Sequence, residues 1–394
     1  MTEGTVSTRL NGLDTLRAAA IVMVLAFHYI AVSGKSTFGF IGDIGWTGVD
    51  LFFVLSGYLI GNQIFSQIVQ ERNFSLKTFY AKRLLRTLPN YYFILAMYLI
   101  FPFVLGEKVT APLWQFLTFT QNFGLRLGQT FSHSWSLCIE EQFYLILPAI
   151  VIMIVKLKRA RQFAWIAIGA AIVAGMVVRG MAWLLNGRST INAYDYYEYI
   201  YYSSFSRFDE LLPGVAIAML RNFHSEKFSR LTKKGNILFL IGFLMVFIML
   251  FLFSNYLSTD EYGCSFLIAT FGYPLLATGF GIMTLSALSE NSILHKIRVP
   301  GAARIALWSY AIYLAHKPIF KLLALPVTKM GIDKNSFLGV SIIMTVSVFG
   351  GWLLFKFIET PFMVLRARLY PAGNTNPKIV SMQIEPLPKQ SRAT

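Results

Sequence analysis

Charged residues are scarce in this chain of 394 residues: Asp, Glu, Lys and Arg make up 14% of it, against 55% hydrophobic residues. Apolar runs recur along its whole length, so the charged surface that a soluble domain of this size needs is missing. The composition excludes a large soluble protein and predicts an integral membrane protein. A charged side chain near the middle of a spanning helix costs about 2.5–3.5 kcal/mol on insertion scales, so each one needs a partner, water or a function.

Other features are absent as well. The only cysteines, Cys138 and Cys264, have a spacing that gives neither a metal site nor a disulfide framework. No HExxH-type metal motif is present. No Pro-, Gly- or Ser-rich linker and no internal repeat divides the apolar blocks. We therefore expect a single transmembrane domain over residues 11–365, a cytoplasmic tail over 1–10 and a disordered cytoplasmic tail over 366–394.

What the sequence does have is apolar segments of spanning length, about 20 residues each. We predict about ten transmembrane helices and no sheet, which makes the fold an all-α polytopic helix bundle. The predicted spans are 13–32, 47–65, 88–106, 135–155, 163–185, 207–221, 236–256, 264–287, 304–323 and 336–358. The apolar stretch 111–123 is too short to span, and we expect a re-entrant or interfacial helix there at the outer face.

Basic residues give the predicted orientation. With a cytoplasmic N-terminus, the inner loops carry clusters of Lys and Arg, whereas the outer loops carry scattered single charges. The inner clusters are Arg72, Lys77, Lys82, Arg83 and Arg86; Lys156, Lys158, Arg159 and Arg161; Arg221, Lys227, Arg230, Lys233 and Lys234; Lys296 and Arg298; and Arg366 and Arg368. Topology thereby accounts for most of the net charge of +16, puts both termini in the cytoplasm and removes nucleic acid as a partner.

The first predicted span contains an arginine and a histidine, Arg17 and His28. A spacing of eleven residues turns a helix through about 1,100°, roughly 20° beyond three full turns, so the two side chains share a face about 16 Å apart. Each also has a purely structural explanation: a salt bridge from Arg17 to Asp14, and a core histidine bonded to a backbone carbonyl. Arg17 inside the apolar run argues against a cleaved signal peptide.

Further polar residues enter the predicted spans from the outer side. They are Asp50, Ser56 and Tyr58 in the second span, Trp135, Ser136 and Glu140 in the fourth, Arg207 in the sixth, and Tyr313 and His316 in the ninth. Polar residues recur every four positions at Ser136, Glu140 and Tyr144, so we expect them to share one helical face and Glu140 to point into the bundle. The alternative for Glu140 is a capping or interfacial role. Predicted depth separates an outer group, His28, Glu140, Arg207 and His316, from an inner group, Arg17, Lys82, Arg83 and Arg86.

The motifs that contain these residues resemble, in order, those of the membrane-bound acyltransferase-3 family. They are LDTLRAAAIVMVLAFH, GVDLFFVLSGYLIG, AKRLLRTLPNYY, SWSLCIEEQFYLILP, SRFDELLPG, YLAHKP and FIETPF. The resemblance covers about residues 10–365. It implies O-acylation of a surface polysaccharide, lipopolysaccharide, peptidoglycan, nodulation factor or macrolide in the cell envelope, with an acyl-CoA donor that is most often acetyl-CoA.

The resemblance also assigns positions. The family's arginine and histidine of the first helix fall on Arg17 and His28. Its basic triplet falls on Lys82, Arg83 and Arg86, although the triplet usually begins with arginine, so Lys82 departs from it. Its serine-glycine-tyrosine falls on Ser56, Gly57 and Tyr58, and its tryptophan-serine-leucine with glutamate on Trp135, Ser136, Leu137 and Glu140. Some members add an eleventh helix and an extracytoplasmic esterase-like domain, and we expect neither in this chain.

The residue types suit acyl transfer without a metal. Arginines on the inner side can hold the phosphates of coenzyme A by forked hydrogen bonds, so we assign Arg17, Lys82, Arg83 and Arg86 to donor binding. His28 can act as general base or as acyl acceptor, with Glu140 orienting it. A substrate-binding or oxyanion-stabilising role is left for Asp50, Ser56, Tyr58, Trp135, Ser136, Arg207, Tyr313 and His316.

We therefore predict a membrane O-acyltransferase, most simply an O-acetyltransferase, in a bacterial inner (cytoplasmic) membrane. It would move an acyl group from cytoplasmic acyl-CoA to a hydroxyl of an extracytoplasmic glycan or glycoconjugate. A secondary transporter of a sugar or other small solute is the alternative, because intramembrane charges also mark solute and proton pathways. The acceptor, the acyl length, an acyl-histidine intermediate and the oligomeric state are left open.

Overall fold

The computed structural model describes residues 11–34, 37–70, 74–105, 111–186, 193–256 and 265–371. Within these ranges the chain forms helices and no strand, as the sequence predicts for an all-α protein. The long helices are α1 (Asn11–His28), α2 (Gly48–Val69), α3 (Leu76–Ile100), α4 (Trp135–Val155), α5 (Ala160–Asn186), α6 (Leu212–Phe223), α7 (Gly235–Tyr256), α8 (Tyr273–Ala287), α9 (Ala302–Lys329), α10 (Phe337–Leu354) and α11 (Thr360–Leu369).

Short helical segments connect the long helices. Short α-helices span Ile30–Ser33, Phe40–Ile44, Pro102–Leu105, Leu113–Leu117, Ala193–Asp195, Ser204–Arg207, Ser225–Thr232 and Ile293–Lys296; 3-10 turns span Gly45–Thr47, Ser132–Ser134 and Phe208–Leu211; π-helical turns span Tyr196–Tyr201, Ile268–Gly272 and Phe355–Glu359. The predicted N-terminal tail, residues 372–394 of the predicted C-terminal tail, and Cys264 lie outside the described residues.

Seven segments of the described chain are helical, apolar and long enough to cross a membrane. They are Asn11–Ser33, Phe40–Val69, Ser132–Val155, Ala160–Asn186, Gly235–Tyr256, Ile268–Ala287 and Phe337–Leu369. The other predicted spans fall on α3, α6 and α9. Helices α3 and α9 have 25 and 28 residues but contain several polar side chains, and α6 has only 12 residues. The count of about ten spans thus stays a prediction.

Helix α2 lies near the centre of the bundle, where it packs against α1, α6 and α8. Its contact with α6 depends on two glycines. A methyl group on Gly57 would overlap the carbonyl oxygen of Leu211, and one on Gly214 would overlap the carbonyl oxygen of Val54. Small residues at these points allow the two backbones to touch, so the SGY motif has a packing role.

The predicted re-entrant segment contains a helix of five residues, Leu113–Leu117, which is too short to span. The chain after it turns into the bundle with its amides hydrogen-bonded. Gln121 Nε2 donates to the Tyr91 hydroxyl at 2.8 Å, and Asn122 Nδ2 donates to Ser204 Oγ at 2.8 Å. Both side chains are buried, so these bonds anchor the irregular segment after the short helix to the rest of the bundle.

Candidate functional site

A cavity of about 300 Å³ lies between α1, α2, α3, α4 and α9. Its lining residues are Arg17; Val49, Phe52, Ser56, Leu59, Ile60 and Gln63; Arg83, Arg86 and Thr87; Ser136, Leu137, Glu140, Glu141 and Tyr144; and Ser309, Tyr310 and Tyr313. On α2 and α4 the lining positions recur every three or four residues, which is the spacing of a single helical face. Helices α2 and α4 therefore each contribute one stripe of side chains.

Arginines form one part of the lining. Arg83 is held in place, because its guanidinium lies 3.8 Å from the centre of the Tyr144 ring and its Nε lies 3.6 Å from Glu141 Oε1. Arg86, three residues later on α3, and Arg17 of α1 line the same cavity. Lys82 is half-buried on α3 and is not among the described lining residues.

The two adjacent glutamates of α4 have different partners. Glu140 Oε2 accepts a hydrogen bond of 2.7 Å from the Tyr144 hydroxyl, one turn along the same helix. Glu141 Oε1 accepts one of 3.0 Å from Thr87 Oγ1 and faces Arg83. Predicted depth grouped Glu140 with the histidines, whereas its side chain shares the cavity with the arginines.

Ser136 and Tyr313 form the wall between the cavity and a cluster of histidines. The Tyr313 hydroxyl donates to the backbone carbonyl of His133. Because its single hydrogen is used there, the 2.7 Å contact between the two hydroxyls has Ser136 Oγ as donor. Both hydroxyl hydrogens are therefore engaged, and in this arrangement neither is free to stabilise an oxyanion.

Three histidines meet beyond this wall. His28 ends α1, His316 lies in α9, and His133 lies in the 3-10 turn before α4. Nδ1 of His28 lies 2.9 Å from Nε2 of His316, and the ring centres of His133 and His316 are 5.4 Å apart. His133 and His316 are buried, and His28 is half-buried. His133 was not among the predicted site residues, although it lies directly before the motif SWSLCIEEQFYLILP.

Five charged side chains form what we call the closed ionic cluster: Asp50, Arg179, Arg207, Asp209 and Glu210. All five are buried. Arg207 lies 3.1 Å from Asp50 Oδ1 and 2.6 Å from Glu210 Oε1, and Arg179 binds both carboxylate oxygens of Asp209 at 2.7 and 2.8 Å. Arg179, Asp209 and Glu210 were not among the predicted site residues.

Aromatic rings surround the Arg207 guanidinium. The ring centre of Tyr273 is 4.0 Å from it, that of Tyr201 is 4.8 Å, and that of the predicted site residue Trp135 is 5.3 Å. Tyr58, another predicted site residue, is buried elsewhere on α2, where its hydroxyl accepts a hydrogen bond from Arg221.

Apart from Lys82 and Tyr58, the predicted site residues separate into three locations. Those that line the cavity are Arg17, Ser56, Arg83, Arg86, Ser136, Glu140 and Tyr313. His28 and His316 form the histidine cluster with His133, and Tyr313 contacts both locations. Asp50, Arg207 and Trp135 belong to or border the closed ionic cluster. Among the described residues, no group of three or more His, Cys, Asp or Glu side chains is arranged to hold a metal ion.

Comparison with known proteins gives consistent matches. The model of a family described as an acyltransferase domain matches residues 10–356. The peptidoglycan O-acetyltransferase OatA of Listeria monocytogenes is 29% identical over 371 residues, which are 89% of this chain and 55% of that protein. The O-acetyltransferase OatA of Staphylococcus aureus is 25% identical over 372 residues, 89% of this chain and 57% of that protein.

An uncharacterized protein of Haemophilus influenzae is 32% identical over 227 residues, 52% of this chain and 88% of that protein. The chain spans little more than half the length of the Listeria and Staphylococcus relatives. No solved structure matches the chain significantly.

Proposed function

The chain belongs to the acyltransferase-3 family, and from that premise we propose that it is a membrane O-acetyltransferase. It moves an acyl group, acetyl in the simplest case, from acyl-CoA to a hydroxyl of a glycan or glycoconjugate. A single acyltransferase domain over residues 11–365 performs the reaction. The observation that carries this proposal is a cavity with arginines in its lining and, across Tyr313, a cluster of histidines.

The donor site of this proposal is the arginine part of the cavity. Three arginines against two glutamates give the lining an excess of positive charge, and guanidinium groups pair with phosphates through forked hydrogen bonds. Lining residues of α2 run from Val49 to Gln63, a rise of about 21 Å along the helix. A long, anionic acyl-CoA fits such a shape, with its phosphates at Arg17, Arg83 and Arg86.

The chemical step falls to His28. As a general base, His28 takes the proton of the acceptor hydroxyl while the oxygen attacks the thioester carbon. The carbon–sulfur bond breaks, and the departing thiolate of coenzyme A takes up a proton. Glu140, held by Tyr144, contributes a negative charge inside the cavity. Tyr313 lines the cavity and contacts His316, so the reacting acyl group must pass this side chain to reach His28.

A glycan of the cell envelope is the proposed acceptor. The name of the Listeria relative gives peptidoglycan as the substrate of that protein, and the relative covers 89% of this chain. We infer a polysaccharide, lipopolysaccharide or peptidoglycan acceptor for this chain on the same grounds. His28 and His316 lie in the outer halves of α1 and α9 in the proposed orientation, which brings the histidines towards that side.

Orientation and span number belong to the same proposal. About ten spans, counting α3, α6 and α9, with both termini in the cytoplasm of a bacterial inner membrane, put Lys77 and Lys156 inside. They put residues 108 and 188, which lie outside the described ranges, on the outer side. Single-cysteine variants at these four positions should react accordingly with a membrane-impermeant thiol reagent. Labelling of position 108 only from the cytoplasmic side would overturn the orientation.

The transfer reaction can be tested with purified protein in proteoliposomes. Acetyl-CoA labelled in the acetyl group is supplied on one side, and peptidoglycan fragments or a polysaccharide on the other. We expect labelled acetyl esters on the glycan, absent from liposomes that contain the His28→Ala variant. Counterflow uptake of a sugar with no ester formed would instead establish the transporter that the sequence left as the alternative.

A further inference from the structure

The hydrogen positions of His316 follow from its acceptor. Its Nδ1 lies 3.2 Å from the carbonyl oxygen of Ile312, one helical turn earlier in α9. A carbonyl oxygen only accepts hydrogen bonds, so Nδ1 of His316 carries a hydrogen. A neutral imidazole has a single N–H, which leaves Nε2 of His316 as an acceptor.

That acceptor nitrogen faces Nδ1 of His28 at 2.9 Å. Nδ1 of His28 is therefore the donor, and a neutral His28 keeps its lone pair on Nε2. We propose that His316 is a positioning residue that holds His28 in the tautomer with a free, basic Nε2. This inference rests on the proposed role of His28 in acyl transfer, and it applies equally if Nε2 accepts the proton or the acyl group itself.

The surroundings of His316 prevent its ring from turning over. The side chain is fully buried, and three aromatic neighbours enclose it. The ring centres of Phe320, Tyr313 and His133 are 5.6, 5.8 and 5.4 Å away, and Phe320 and His133 meet it edge-on at 81° and 76°. A ring so enclosed cannot exchange its two nitrogens without repacking, so the direction of the hydrogen bond from His28 is fixed.

The same stretch of α9 accounts for the position of His133. Pro318 has no backbone N–H, so the carbonyl of Leu314, four residues earlier, lacks its normal helical donor. Nε2 of His133 lies 3.2 Å from that oxygen and replaces the missing donor. Through its backbone carbonyl, His133 also accepts the hydroxyl of Tyr313. The motif YLAHKP thus supplies both the orienting histidine and the carbonyl that anchors the ring packed against it.

The proton balance of the step is simple. Nε2 of His28 takes the hydroxyl proton of the acceptor as the new carbon–oxygen bond forms and the carbon–sulfur bond breaks. The resulting imidazolium gives that proton to the coenzyme A thiolate, which leaves as the thiol. Throughout, Nδ1–H of His28 donates to His316, and this hydrogen bond strengthens while His28 is charged. His316 itself neither gains nor loses a proton.

Two substitutions of His316 separate positioning from packing. In His316→Gln the amide oxygen reaches the place of Nε2 and can accept from His28, whereas His316→Leu removes the acceptor. We expect kcat to fall about 10²-fold or more in His316→Leu and less than about tenfold in His316→Gln, with KM for acetyl-CoA unchanged in both. His224→Leu is the matched control, because His224 is not part of the histidine cluster and accepts a hydrogen bond from Trp165 Nε1 instead. A His316→Leu enzyme with the kcat of the wild type would overturn the proposal.

The tautomer can also be read directly, without any activity. The chain has five histidines, so ¹⁵N-histidine spectra in lipid are simple, and the His28→Gln variant assigns the His28 signals. At a pH where His28 is neutral, we expect its Nδ1 protonated and its Nε2 bare in the wild type, and a mixture of tautomers in His316→Leu. A wild-type spectrum with Nε2 protonated would overturn the proposal even if transfer occurs. Failure of transfer with the expected tautomer would count against the proposed function alone.

Discussion

The cavity and the closed ionic cluster both contain arginines and carboxyl groups inside one helix bundle, but they differ in whether a ligand can enter. The cavity has a volume of about 300 Å³ and three arginines against two glutamates. The closed ionic cluster has two arginines against three carboxyl groups, all of them buried. An excess of positive charge beside open space suits an anionic ligand, whereas charges that contact only protein hold helices together.

This difference shows how to interpret intramembrane charge. In the sequence, Arg207 and Arg86 look alike, because each is an arginine in or beside an apolar segment and each matches a family motif. Arg207 forms ion pairs with Asp50 and Glu210, its guanidinium lies over the Tyr273 ring, and its side chain is fully buried in protein. Arg86 faces the cavity. The contacts of an arginine and the open space beside it, more than its residue type, therefore distinguish a ligand-binding arginine from a structural one.

The strongest test of the comparison is removal of Arg207. In Arg207→Met, Asp50 and Glu210 stay buried without their cation, and breaking a buried ion pair from one side costs about 3–5 kcal/mol. We expect little monodisperse protein after detergent extraction and a much lower midpoint of thermal aggregation. Adding Asp50→Asn and Glu210→Gln should recover part of the loss, because no unpaired charge then remains. A stable Arg207→Met protein that fails only to bind the acceptor would return Arg207 to a substrate role.

Replacement of His28 tests the histidine cluster, which lies beyond Tyr313 from the cavity. The variants His28→Ala and His28→Gln should fold and bind acetyl-CoA normally, but their rate of acetyl transfer should fall about 10²–10⁴-fold, because neither side chain can take up a proton. Gln still forms hydrogen bonds, so the His28→Gln variant isolates the loss of proton transfer. Initial rates with labelled acetyl-CoA and a binding isotherm measure the two properties separately. His224→Gln serves as the control. An active His28→Gln enzyme would exclude the base role and move attention to Glu140 or His316.

The smallest expected effect is that of a cavity arginine. Arg86→Met should weaken acetyl-CoA binding about ten- to hundredfold, because a charged hydrogen bond contributes roughly 1.5–3 kcal/mol. The midpoint of thermal aggregation should stay close to that of the wild type. Arg230→Met, at an exposed position of the short helix Ser225–Thr232, removes the same charge as a control. If both variants and the wild type bound acetyl-CoA with equal affinity, Arg86 would have no role in donor binding and would only contribute to the orientation of the protein in the membrane. Arg83 is a less clean target, because it also stacks on Tyr144.

Much of the candidate site could be predicted from single helices. The spacing of Ser136, Glu140 and Tyr144 predicts one face, and these three side chains do line one cavity. His133 could not be predicted in this way, because it lies in a 3-10 turn outside the periodic part of α4. Its importance follows from Pro318, which is distant in sequence and frees the carbonyl that His133 binds.

The sequence by itself determined the membrane setting, the helical class and the order of the family motifs. It did so through two features, the long apolar segments and the types of residue inside them. Both are local, because hydrophobic length and the helical repeat act within about 20 residues of chain. Only the tertiary structure decided that His28 meets His316, that Glu140 shares a cavity with Arg17, and that Arg207 is closed off. The rotation and tilt of each helix are set by packing against its neighbours, and hydropathy contains no information about either.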